Sequence, residues 1–491
     1  MERPLILALD IGTSSVRAAL YDCAGDVLPK TMVKNERRLT ATDDGGAEID
    51  AEEAFEQVAS AIDDLLKKSI NVKGDIICVA ASSFWHSLVG IDARGKPTTK
   101  VFGWADTRSR DQVAILRKKL DENKIHNSTG ARFHSSFWPA KLLWLRKESP
   151  KVFERTAKWL SLCDYSAWRL AGKPVTSVSM ASATGIFDIR SCTWESSLLR
   201  FLKIKPTQLA GLTADDSETF RLLPDFAKRW PRLRDARWFP AIGDGAANNI
   251  GAGCTQRSKA SLMIGTSGAV RVIFRGDPPA SIPTGLWCYR VDRTRVIVGG
   301  ALSDGGGLYR WLKDTLNLKG SDDDIEDEIA NRPPDGHGLS FMPFVAGERS
   351  TGYHQSARGA VVGIKTATDP VDIVHAGLES IAYRFAEILD QLKSVVKVKE
   401  VIASGGALRE SPVWTQIIAD VLGHTLSLPD VYEASSRGAV LLALETLGTI
   451  KSIEKFVTPK GRIFAARKAN YKIYRLARKR HDEYYDLIIS R

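Results

Sequence analysis

Two stretches of the chain, LILALDIGTSSVRAALYD near its start and SLMIGTSGAVRVIFR beyond its middle, share one pattern: a short apolar run, a turn of small polar residues, and a second apolar run. Runs of that length bounded by Gly, Thr and Ser predict strand, tight turn, strand in both places. The turn repeats residue for residue, at Ile11–Ser14 and again at Ile264–Ser267. After the first copy the period changes. In DAEEAFEQVASAIDDLLKKSI the apolar positions Phe55, Val58, Ile62 and Leu65 recur at helical spacing. DIICVAAS then predicts a buried strand running into the loop SFWHS, followed by LVGID, the turn ARGKP and VFGWADTRS. Loops at the ends of such strands are where sites are commonly built.

The region from Phe201 to Trp238 is charged, contains prolines and has weak periodicity, which marks the approach to a boundary. A second half restarts with WFPAIGDGAANNIGAG. DPVDIVHAGLESIAYRFAEILDQLK carries Ile373, Ala376, Ile381, Phe385 and Ile388 along one long helix. KEVIAS predicts a strand and GGALRE a glycine turn. SPVWTQIIADVLG predicts a helix with Ser411 at its N-cap and Pro412 at its first position. Late in the chain, KGRIFAARKANYKIYRLARKRHDEYYDLIIS mixes bases and the aromatics Tyr471, Tyr474 and Tyr485 with Ile473, Leu476, Leu487 and Ile488, the pattern of an amphipathic terminal helix. Strands alternating with helices predict an α/β protein. The repeated hairpin predicts two related lobes, residues 1–238 and 239–491.

Length agrees with that division, because 491 residues are too many for one ordinary core. Apolar and charged fractions of 44% and 26% are those of a globular chain. No run of about 18 apolar residues is present and the chain does not start with a basic segment followed by an apolar one, so a cytoplasmic protein without a membrane partner is expected. The cysteines Cys23, Cys78, Cys163, Cys192, Cys254 and Cys288 are scattered, without CxxC or a histidine at metal spacing, and are expected as reduced thiols with no zinc site. A net charge of +11 would attract nucleic acid or anionic metabolites. Much of the excess lies on the terminal helix with no recognition motif beside it, so a solvated face is expected and no nucleic acid.

Candidate chemistry begins at the turns. A Gly-Thr-Ser turn after a buried strand exposes backbone N–H groups and short hydroxyls that can surround phosphate oxygens, and two such turns facing each other would grip a polyphosphate. Asp10 precedes the first turn, where a carboxylate suits Mg2+. Met263 stands at the equivalent place in the second copy, so only the first is equipped for a metal. No GxxxxGK[ST] occurs, and GDGAANNIGAG fails the dinucleotide fingerprint, so neither a Walker-type site nor NAD is expected.

LALDIGTSSVRAALYD, AIGDGAANNIGAG, MIGTSGAV, ARGAVVGI with HAGLESIAYRF, and ASGGALRESPVWTQIIADVLG stand in the order found in the FGGY carbohydrate kinases, and together they span nearly the whole chain. The resemblance implies two actin-like, ribonuclease H-like lobes with ATP and sugar meeting in the cleft between them. Residues 1–238 would form the sugar-binding lobe and 239–491 the nucleotide-binding lobe. It implies ATP and Mg2+ as cofactors, with Asp10 the metal-associated carboxylate and Asp244 the catalytic aspartate, close to both metal and sugar. Gly12, Thr13, Ser14, Ser15 and Arg17 would form the first phosphate loop, Gly265 and Thr266 the second. Gly306 would lie near the adenosine, and Gly405, Gly406 and Ala407 would form the turn against the nucleotide. Gly377 departs from the family signature, which has Thr, Ala or an aliphatic residue there.

For the acceptor, SSFWHSLVGIDARGKPTTKVFGWADTR resembles the substrate segment of xylulose and gluconate kinases, which implies that His86 and Asp106 approach the sugar, with Trp85 in the place of a Met. GWADTRS, FWPAKLLWLRK and SMASATGIFDI followed by Trp194 look more like gluconate kinases. A carboxylate substrate wants a cation, for which Arg108 or Lys141 is expected. HSSFW at His134–Trp138 departs from the proline-containing stretch of gluconate kinases. The expectation is therefore a kinase that phosphorylates a primary hydroxyl of an open-chain small-molecule sugar or sugar acid, D-gluconate first and D-xylulose or another ketose or polyol second, with a homodimer left open. The rivals are an actin-like ATPase and a sugar-binding regulator without catalysis.

Overall fold

A computed structural model describes residues 4–37, 39–456 and 460–490. β1 (Pro4–Ile11) and β2 (Ser15–Tyr21) pair antiparallel across the first IGTS turn, with Ile11 opposite Val16, and β3 (Val33–Glu36) continues the meander. The chain crosses over through α1 (Ala51–Lys68), started by Asp50, whose carboxylate accepts from the Glu52 and Glu53 N–H groups. It returns as β4 (Asp75–Ser83), parallel to β1. β5 (Arg237–Trp238) and β6 (Ile242–Gly243) complete this sheet, both parallel to β4. α2 (Asp244–Gly251) begins where β6 stops.

The same plan then runs again. β7 (Lys259–Ile264) and β8 (Gly268–Arg275) pair antiparallel across the second IGTS turn. β9 (Trp287–Arg290) pairs with β10 (Arg295–Leu302), which lies antiparallel to β8. α3 (Gly306–Thr315) and α4 (Pro370–Leu392) follow, the latter started by a reciprocal Asp369–Asp372 capping box with Pro370 at its first turn. β11 (Glu400–Ser404) returns parallel to β7. Beyond it come α5 (Gly406–Glu410), α6 (Pro412–Leu422), whose N-cap is Ser411, and β12 (Leu426–Pro429), parallel to β11. The strand orders β3-β2-β1-β4-β5 and β10-β8-β7-β11-β12 match in sequence and direction, so the repeated hairpin is the visible part of a duplicated sheet.

α7 (Ala434–Thr446) breaks the symmetry. It comes late in the chain, yet it packs on β1, β2 and β4 of the first sheet and on α2, and Val440, Leu441 and Leu444 are wholly buried there among Leu5, Leu7 and Val79. Its approach to α2 is made of backbone: a Cβ on Gly438 would sit 1.8 Å from the Ala247 carbonyl oxygen, and one on Gly251 1.9 Å from that of Ala434. β6 likewise still belongs to the first sheet, beyond residue 238. A separate core between Leu88 and Leu209 caps the first lobe.

β13 (Gly461–Phe464) edges the second sheet, and α8 (Lys468–Ile488) closes the fold. The helix expected there forms, but its inward face is Tyr474, Ala477 and His481. Ile473, Leu476, Leu487 and Ile488, expected as the apolar face, are exposed, Leu476 by 73%. Tyr474, Ala477 and His481, at i, i+3 and i+7, fill the contact with α4 and α6. Gly377 also finds its reason: a Cβ there would meet Leu312 of α3 at 2.7 Å, so the glycine admits a close helix contact. No helix among the described residues is long and apolar enough to cross a membrane.

Candidate active site

Each IGTS turn is the exposed point of a buried hairpin. In the first, Gly12 N–H donates to the Ser15 carbonyl at 2.9 Å, and Ser14 is exposed. The turn is braced from beneath by buried Arg37, whose guanidinium donates to the Gly12 and Ala54 carbonyls and to Gln57, while its own N–H donates to the Ser14 carbonyl. Asp10, at the end of β1, is 4% exposed. Its carboxylate accepts from Ser82 Oγ at 2.7 Å and from Arg17 at 3.3 Å, and Arg17 is shared with Glu433 at 3.2 Å. Burial raises the Asp10 pKa, against the pull of Ser82 and Arg17.

In the second lobe the glycines expected around a nucleotide converge on one point. Gly265 N–H donates to the Ser267 carbonyl at 2.9 Å, closing a turn one residue tighter than the first. Gly306 and Gly307, at the start of α3, donate their N–H groups to the carbonyls of Gly265 and Thr266. Gly405 takes φ +100, and a Cβ on it would fall 2.1 Å from the Ile264 carbonyl oxygen. A Cβ on Gly306 would lie 3.3 Å from Ala407. Gly265, Thr266, Gly306, Gly405, Gly406 and Ala407 thus share one backbone-walled cradle, a surface that suits a nucleotide tail.

Between the lobes lies a cavity of about 130 Å³ lined by Trp85, His86, Trp104, Asp244, Ser267, Arg271, Trp287, Tyr289 and Arg349 among others. Ser267 and Gly268 of the second turn line it directly, and the first turn meets its wall through Trp104, which donates its indole N–H to Thr13 Oγ1 at 3.4 Å. Asp244, at the N-terminus of α2, is partly exposed here and accepts from the Gly245 N–H at 2.7 Å. Loss of solvent pushes its pKa up to about 6; Arg271 pulls it down and the charge of Asp10 pushes it up again. Asp244 thus stands near enough to Asp10 to feel its charge, and carboxylate oxygens are the ligands a hydrated divalent cation takes.

His86 has φ +70, a conformation costly for a non-glycine residue. Its Nδ1 lies 2.6 Å from the Ala183 carbonyl, so Nδ1 carries the proton and Nε2 is left as an acceptor. Burial, then the charge of Arg349, holds the imidazole neutral. Trp85 packs edge-on against Tyr289, 5.2 Å between centroids, and Tyr289 is stacked on Trp287 at 4.4 Å.

The other expected substrate residues are not brought to this cavity. Asp106 is bound by Arg108 at 2.5 Å and by the Ala47 N–H, and Arg108 also holds Glu48 at 2.6 Å. Lys141 is 1% exposed and donates to the carbonyls of His86, Gly103 and Ser136 at 3.1, 2.7 and 3.0 Å. These groups shape the loops behind the cavity. Conversely, Arg271, Trp287, Tyr289 and Arg349 line it without having been singled out in the sequence. Three of them sit in or beside second-sheet strands whose apolar pattern reads simply as core.

The family model described as "FGGY family of carbohydrate kinases, N-terminal domain" matches residues 5–234, and the corresponding C-terminal domain matches 260–446. A gluconokinase of Bacillus subtilis (strain 168) is 28% identical over 462 residues, 91% of this chain and 89% of that protein. A xylulose kinase of Staphylococcus xylosus is 26% identical over 440 residues, 89% and 90% of the two chains. A crystal structure of gluconate kinase from Lactobacillus acidophilus superposes with a TM-score of 0.91 at 27% identity, covering 99% of this chain and 98% of that one. A ligand-bound xylulose kinase from the same organism gives 0.91 at 26%.

Proposed function

The chain belongs to the FGGY family of carbohydrate kinases, and from that premise we propose that it transfers the γ-phosphate of ATP to a primary hydroxyl of an open-chain sugar acid, D-gluconate. The observation that carries this reading is the single cavity in which Asp244 meets the second glycine turn and a wall of aromatic and hydrogen-bonding side chains from both lobes.

When bound, ATP with Mg2+ supplies the transferable phosphoryl group and a partial neutralisation of its charge. The chain's own part follows from the geometry. Asp244, ionised above a pKa of about 6, accepts the proton of the attacking hydroxyl. The N–H groups of Thr13 and Ser14 in the first turn and of Thr266 and Ser267 in the second fit phosphate oxygens, where fixed dipoles stabilise transferring charge. Asp10, with Asp244, would hold the metal through water. Trp85 and Tyr289 cover the apolar edges of a polyol and exclude water, and His86 Nε2 accepts from one of its hydroxyls.

D-Xylulose is the second reading, favoured by the equal TM-score of the xylulose kinase structure. The test is ADP release across gluconate, xylulose, ribulose and glycerol. Release stimulated by gluconate above the others is expected. Sugar-independent release would favour an actin-like ATPase, and no release a non-catalytic regulator.

A further inference from the structure

We infer that Arg349 is the specificity-determining residue of the cavity: its guanidinium holds the carboxylate of a sugar acid whose primary hydroxyl faces Asp244. This rests on the kinase reading above and names the group that selects an acid over a neutral sugar.

Two arginines line the cavity, and their situations differ. Arg271 is 3% exposed, and its guanidinium donates to the Gly245 carbonyl at 2.7 Å beside Asp244. Arg349 has no carboxylate partner and no side-chain hydrogen bond among the described residues; its guanidinium carbon lies 5.5 Å from the centroid of the Trp104 ring. The carboxylate next to it in the chain is taken: Glu348 accepts from Arg384 at 2.6 Å and from the Tyr485 hydroxyl at 2.8 and 2.9 Å. The same loop is pinned to the first lobe, where the Ser135 N–H donates to Gln355 at 3.1 Å and the rings of His134 and Tyr353 are 6.0 Å apart. The backbone that carries Arg349 is therefore held while its charge is left free. Arg349 is half-buried at the cavity wall, and the planar fork of a guanidinium matches a carboxylate bidentately.

Three further observations agree. Arg108 and Lys141, the other candidate cations, are consumed by Asp106, Glu48 and backbone carbonyls. Trp287 Nε1 and the Tyr289 hydroxyl are buried without partners and line the same cavity, as donors for a polyhydroxylated ligand would. Arg349 lines the cavity together with His86, and its charge helps keep that imidazole neutral.

The test compares kcat/KM for D-gluconate and D-xylulose in the wild type, Arg349→Gln and Arg349→Lys. The ratio of acid to ketose should fall about 10- to 100-fold in Arg349→Gln, mainly through KM, and be partly restored in Arg349→Lys. A ratio unchanged within threefold overturns the inference, as does an equal loss on both substrates. Wild-type turnover of xylulose without gluconate overturns it while leaving the kinase reading intact; turnover of neither sugar sinks both. Should Arg349→Gln fail to fold, the wild type carries the test alone: D-glucitol, which lacks the carboxylate, should bind at least about tenfold more weakly than D-gluconate by calorimetry, and equal affinity overturns the assignment.

Discussion

The indole of Trp85 rests against the backbone of Gly243, so close that a Cβ on the glycine would lie 1.8 Å from ring atoms Cε2 and Nε1. Gly245, on the other side of Asp244, is restricted in the same way, with Trp85 and Arg271 each 2.5 Å from where its Cβ would be. An aromatic side chain of the first lobe thus fixes the turn that aims the Asp244 carboxylate. Gly243→Ala is expected to displace that carboxylate and lower kcat about 100-fold, with a smaller effect on KM. Steady-state kinetics on a variant with an unchanged circular dichroism spectrum checks this; a wild-type kcat would mean the turn can yield.

Asp244→Asn should lower kcat by about 10²–10⁴-fold, and the wild-type kcat/KM should rise through pH 6 and level off above it, as the carboxylate ionises. Stability should move the other way. The folded pKa of about 6 lies above the ordinary 3.8, so the fold disfavours the ionised form, and stability is lost as pH rises toward 6. Asp244→Asn is therefore expected to be more stable than the wild type by about 1–2 kcal/mol at pH 7.5, a gain that shrinks below pH 6 and is gone near pH 4. Urea unfolding at the two pH values measures it, and a destabilised variant at pH 7.5 would reverse the argument.

How much of this was legible beforehand depends on the range of the interaction. The two hairpins, α1, α4 and α6, the last with its cap, could be read because strand length, helical spacing and N-cap chemistry act within a few residues. The glycines that meet in the second-lobe cradle were legible through their order along the chain. The arginines that line the cavity were not. Arg108 and Lys141 are the right residue types, but their partners lie far off in sequence, Glu48 sixty residues from Arg108, and only the folded chain reveals that both are spent. Arg349, Trp287 and Tyr289 reach a cavity whose other wall comes from the first lobe, a meeting that no local pattern encodes. The inward face of α8 was misjudged for the same reason, since its docking surface belongs to α4 and α6.

Gly405→Ala tests the cradle. The residue combines φ +100 with a Cβ position 2.1 Å from the Ile264 carbonyl oxygen, so the turn would have to open. The expected outcome is an ATP KM raised about tenfold or more, with sugar affinity in the absence of nucleotide unchanged by calorimetry. An unaltered KM for ATP would remove this turn from the nucleotide site.

Lys141→Met leaves three buried carbonyls, those of His86, Gly103 and Ser136, without their donor. It should cost about 2–4 kcal/mol in urea unfolding and raise the sugar KM through the loosened His86 loop. Wild-type stability would show that water can take the place of the ammonium.

The late position of α7 in the chain bears on how the molecule is made. The first sheet would leave the ribosome with β1 and β4 bare on the side that Val440, Leu441 and Leu444 eventually cover, so the first lobe waits for its completion on a helix made after most of the second sheet. A nascent chain halted before α7 would offer that uncovered face to chaperones, and a gene split between the halves would yield a working product only when both pieces are translated in the same cell.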